Sequence, residues 1–67
     1  MINIKNLKEI DVGRYVTYET NHGTTERGRI KGWNFKWIWV VYNCAGEWKN
    51  YQSYTAAATD PNDLTFD

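Results

Sequence analysis

The chain has 67 residues, with eight Lys or Arg balanced by eight Asp or Glu, one His, one Cys, four Trp, five Tyr and two Phe. At this length only about 60% of the unfolded surface is buried on folding, which excludes more than one domain and leaves large aromatic rings to supply much of the buried area. Zero net charge argues against bulk attraction to nucleic acid or membrane, a single cysteine forbids an internal disulfide, and the lack of a signal peptide or long apolar span points to a soluble, cytoplasmic protein with no membrane partner.

Residues 1–11 read as a lead-in segment, with Leu7 and Ile10 three apart as on one helical turn. Val12, Val16 and Tyr18 alternate with Tyr15, Thr17 and Glu19, the period of a half-buried strand over residues 14–20, with Gly13 permitting a bend at its start. Asn21-His22-Gly23-Thr24-Thr25 is a turn-rich loop, so His22 reads as a solvated turn residue rather than a ligand or base. Glu26 to Trp33 and Trp37 to Tyr42 form a hairpin around Asn34-Phe35-Lys36.

Register decides which face of that hairpin is core, because a slip of one residue exchanges the faces. Arg27, Arg29, Lys31 and Trp33 alternate with Gly28, Ile30 and Gly32, and burying the cations unpaired would cost several kcal/mol each. A three-residue loop pairs Trp33 with Trp37, Lys31 with Trp39, Ile30 with Val40 and Arg29 with Val41, placing every strand cation on the tryptophan side. The expected partner-binding surface is therefore Arg27, Arg29, Lys31, Trp33, Lys36, Trp37 and Trp39. The competing reading covers these rings with the lead-in around Leu7 and Ile10, or with a second copy of the chain.

Asn43 to Asn50 reads as loop, with Cys44 a plain loop thiol lacking His or Cys at metal-ligand spacing. A fourth strand is expected around Tyr51 to Ala58. In Asp60-Pro61-Asn62-Asp63-Leu64, Asp60 can cap and Pro61 is preset for a first helical position, giving one turn that delivers Leu64 to the core before a last strand, Leu64-Thr65-Phe66. The sum is an all-β domain over residues 1–67: a small SH3-like five-stranded barrel over residues 12–66, with a single helical turn before the last strand. An open meander of four strands is the alternative.

Gly13-Arg14-Tyr15-Val16, Gly28-Arg29-Ile30, Trp33-Asn34, Trp37-Ile38-Trp39-Val40-Val41-Tyr42 and Ala58-Thr59-Asp60-Pro61-Asn62-Asp63-Leu64 resemble the small SH3-like barrel proteins encoded by bacteriophages and prophages. The resemblance implies a non-enzymatic role, since broader relatives of that shape, Tudor-like and KOW-like modules, bind peptides or RNA. For a phage-type chain the compartment would be the bacterial host cytoplasm. Trp37 and Trp39 together make the outer face more aromatic than that pattern needs.

No enzyme, cofactor or metal motif is legible: there is no phosphate loop, HExxH, CxxC or Gly-x-Ser-x-Gly, and Asp60 and Asp63 read as turn caps. The expected function is an interaction module that binds a host or partner protein through the Trp/Arg face and modulates it. A single-stranded RNA or DNA binder, with bases stacked on Trp37 and Trp39 and the Arg27-to-Lys36 strip on phosphates, is the alternative. A homo-oligomeric structural protein, a homodimer for instance, is a second alternative.

Overall fold

The computed structural model describes residues 1–43 and 46–67, so the reading of Cys44 lies outside the described residues. Five strands, β1 (Tyr15–Glu19), β2 (Thr25–Trp33), β3 (Ile38–Val41), β4 (Ala57–Thr59) and β5 (Leu64–Phe66), form one antiparallel sheet in the order β4-β3-β2-β1-β5. The protein is all-β with short 3-10 turns, and β4 and β5 are the two ends of the sheet, which does not close.

Alternation along the strands sets two faces. One carries Val16, Ile30, Ile38, Val40 and Leu64, all fully buried, together with Ile2, while Trp33, Tyr18, Tyr42 and Phe66 pack around them half-buried. Each fully buried aliphatic side chain contributes about 1.5–3 kcal/mol, so this cluster is the main source of stability. Gly28 lies on the same face: a Cβ there would stand 2.5 Å from Val40 Cγ1 and 2.8 Å from the Val41 carbonyl oxygen. The β2–β3 crossing is close because that position has no side chain.

The turn before β5 forms as the sequence predicts. The Asp60 carboxylate accepts from Asn62 N–H at 2.9 Å, Pro61 opens the 3-10 turn Pro61–Asp63, and Leu64 enters the core. β1 likewise starts after Gly13, whose φ of +91° only glycine adopts without strain and whose N–H donates to Ile30 O at 2.7 Å.

The sheet is open where a closed five-stranded barrel was expected, and two further expected features differ. The hairpin keeps Arg29 opposite Val41 and Ile30 opposite Val40, but beyond them Gly32 faces Trp39 and Trp33 faces Ile38. A bulge at Lys31 absorbs one residue, and the loop holds four residues, closed by Asn34 N–H donating to Trp37 O at 2.9 Å. Asn34 Oδ1 also accepts from the N–H groups of Lys36 and Trp37, at 2.8 and 2.7 Å, so the side chain helps to shape the turn. Trp33 is thereby carried to the core face, against the expected outward placement.

The fourth strand is the other difference. It is confined to Ala57–Thr59, and Trp48–Ser53 instead forms a double 3-10 turn kinked at Asn50 that lies over the outer face. There Tyr51 is buried against fully buried Val41, with Trp48, Tyr54 and Ala56 beside them. The lead-in does not do this job: Leu7 packs on the inner cluster with Ile2 and Ile4, and Ile10 is exposed.

Candidate functional site: a covered outer face and an open hairpin end

The seven residues expected to form one surface fall into three environments. Arg27 and Arg29 lie on the outer face beside Tyr15, which pairs across the strands with Arg29. The two guanidinium carbons stand 4.1 and 4.9 Å from the Tyr15 ring centroid, and Arg29 also stands 4.2 Å from the Tyr51 centroid. Tyr15 in turn packs 6.0 Å from Trp48. The result is an alternation of cations and rings across the sheet, each exposed contact worth about 0.5–1 kcal/mol.

These cations are already engaged. Arg29 Nε donates to Gly13 O at 2.7 Å and its Nη1 to Trp48 O at 2.8 Å, so one side chain ties the start of β1 to the 48–53 turn. Lys31 Nζ donates to Tyr54 O at 3.0 Å. Arg27 pairs with Asp67, whose other carboxylate oxygen accepts from the Thr17 hydroxyl. The Thr17 hydroxyl first, then Arg27, hold the Asp67 carboxyl below the usual carboxylate range. Trp39 shares this face half-buried, between Gly32 and Ala58 on the neighbouring strands.

Lys36 and Trp37 are brought together elsewhere. They sit at the hairpin end, where the Lys36 ammonium lies 5.1 Å from the Trp37 ring centroid. Beside them opens a groove of about 830 Å³, with walls from three parts of the chain: the hairpin loop, residues 1–5 and the turn at Asp60, Pro61 and Asn62. Ile2 N–H donates to Pro61 O at 2.9 Å and fastens two of those walls together. Phe35, at the rim, is 91% exposed, and Met1 is exposed as well.

Phe35, Met1 and Pro61 were not among the expected site residues. Phe35 had a legible signal, an aromatic ring at the centre of a polar turn between two strands, where no core is within reach. The contribution of residues 1–5 had none, because it depends on the tertiary contact with Pro61.

Among the described residues, no three His, Cys, Asp or Glu side chains are grouped so as to hold a metal ion, and no helix is long and apolar enough to cross a membrane. No protein-family model matches the chain, and comparison with curated proteins and with solved structures gives no match either.

Proposed function

We propose that this protein is a non-enzymatic interaction module that docks a partner protein at its hairpin end. One observation carries the reading: Phe35 projects into solvent at the rim of a largely apolar groove formed by three segments of the chain. An exposed phenylalanine beside a preformed apolar concavity is the arrangement from which protein contacts are built, since rings supply most of the contact energy. Trp37 and Lys36 belong to this docking end. Arg29 and Lys31, hydrogen-bonded to backbone carbonyls, and Trp33, packed against the core, act as its scaffold.

The strand order and the 3-10 turn between the last two strands support an SH3-like plan for this scaffold. The resemblance of Gly13-Arg14-Tyr15-Val16 and of the 58–64 segment to phage and prophage barrels supports a host protein, encountered in bacterial cytoplasm, as the partner. Single-stranded nucleic acid is the weaker reading, because phosphates would have to displace Arg29 and Lys31 from backbone carbonyls they already serve.

The test is capture from bacterial lysate on immobilised protein, with and without nuclease, comparing the wild type with Phe35→Ser. The expected result is a protein retained by the wild type in both conditions and lost on the variant. Retention abolished by nuclease, or indifferent to Phe35, would overturn it.

A further inference from the structure

The charges around the groove say what sort of segment fits it. Its walls are apolar at Met1, Phe35, Trp37 and Pro61, and they carry three charged side chains, Lys5, Lys36 and Asp60. Asp60 caps the 3-10 turn by accepting from the Asn62 N–H at 2.9 Å and keeps its charge, so the two lysines leave the wall side chains with one excess positive charge. The two lysines are differently placed. Lys5 is exposed, and Lys36 is exposed with its ammonium steadied against the Trp37 ring. Among the described residues the ion pairs are Arg14 with Asp11 and Arg27 with Asp67, so neither groove lysine is neutralised by the fold.

Resting on the docking reading above, we infer that the occupant is an acidic peptide segment: an apolar or aromatic side chain that enters between Phe35, Trp37 and Pro61, with Asp or Glu neighbours that meet Lys5 and Lys36. The volume, about 830 Å³, accommodates a few side chains rather than a folded surface. Complementary charge at the rim sets which sequences are admitted and how fast they arrive, while the apolar anchor supplies the affinity. A basic segment meets two exposed ammonium groups against one carboxylate and is disfavoured relative to an acidic one.

A random linear dodecapeptide library panned against the whole chain, with counter-selection on Phe35→Ser, tests this directly. Synthetic copies of the enriched peptides are then titrated by tryptophan fluorescence against the wild type and against a Lys5→Glu, Lys36→Glu double variant whose melting point is checked first. The expected outcome is enrichment of peptides with an apolar residue flanked by Asp or Glu, binding about tenfold weaker to the double variant at low salt and losing that difference at high salt. Phe35-dependent peptides that are neutral or basic would overturn the acidic assignment and leave the docking reading standing. Enrichment of no Phe35-dependent peptide would overturn both. A concentration-dependent dimer abolished by Phe35→Ser would identify a second copy as the occupant, and Phe35-dependent binding of a thymidine 20-mer tighter than any enriched peptide would identify a nucleic acid. Either result overturns the proposal.

Discussion

The guanidinium of Arg29 lies 4.2 Å from the Tyr51 ring centroid while its Nε and Nη1 donate to the carbonyls of Gly13 and Trp48. A residue of the central strand thus fastens the covering turn through one hydrogen bond and a ring contact, and ties it to Gly13 through a second hydrogen bond. Lysine offers one compact ammonium in place of that planar fork and cannot make the same set.

Replacing Arg29 with Gln is therefore expected to leave at least one carbonyl unsatisfied and to lower stability by about 1–3 kcal/mol in urea unfolding. Arg29→Lys should recover only part of this. Faster amide exchange over residues 48–54, with exchange in β1 to β3 little changed, would locate the loss in the covering turn.

Gly28→Ala tests the closeness of the β2–β3 crossing. The added methyl meets Val40 Cγ1 and the Val41 carbonyl, the second of which is backbone and cannot rotate away. Thermal and denaturant melting should show a loss of about 1–3 kcal/mol, the usual cost of overpacking. An unaffected midpoint would mean that the strands can move apart without penalty.

Phe35→Ser should leave the unfolding free energy within about 0.5 kcal/mol of the wild type, because the ring is exposed and the turn is shaped by Asn34. Asn34→Ala, which removes the acceptor for two N–H groups, is expected to cost more than Phe35→Ser in the same measurement.

Acid stability is expected to depend on Asp67 and Asp11. Both carboxyls are held below their ordinary value, Asp67 by the Thr17 hydroxyl and Arg27, Asp11 by the Lys8 N–H and Arg14. With the folded value below the unfolded one, the contribution is complete above about pH 4 and is lost as pH falls through the folded value. Asp67→Asn should flatten the acid limb of the stability curve without altering the neutral plateau's pH dependence.

The alkaline limb has a different origin. Burial pushes the Tyr42 phenol up to about 12, against a weaker opposing effect of its hydrogen bond with Thr59 Oγ1 at 2.7 Å. A raised folded value means stability that is full below the ordinary tyrosine range near 10 and is lost as pH climbs through about 12. Tyr42→Phe should blunt that loss in a pH series of melting curves.

How much of this was legible from residues alone follows the range of the interactions involved. The alternation from Tyr15 to Glu19, the Gly13 bend and the Asp60-Pro61 turn are local, and each appears where the sequence predicts. The bulge at Lys31 is not local: it requires Ile38 and Trp39 to choose between two alignments, and burial of Trp33 against the core decides the matter. Trp48 to Ser53 coils, with Tyr51 to Ser53 taken from the expected fourth strand, because Arg29 requires a carbonyl acceptor from it and Val41 a cover, demands that arise on other strands. The candidate site was split for the same reason, since Arg29 and Lys31 donate to backbone carbonyls of segments distant in the sequence.

The irregularity at Lys31 also has a genetic reading. Lys31 and Gly32 together stand opposite Trp39, so loss of the Lys31 codon would leave Ile30 and Trp33 on the core face with their partners across the ladder unchanged. Deletion of Arg29, within the paired part of the strand, would transpose the residues on one side of the gap and drive a cation inward. This hairpin therefore has one position where its length can drift over generations, and what such a lineage forfeits is the lysine's hold on Tyr54.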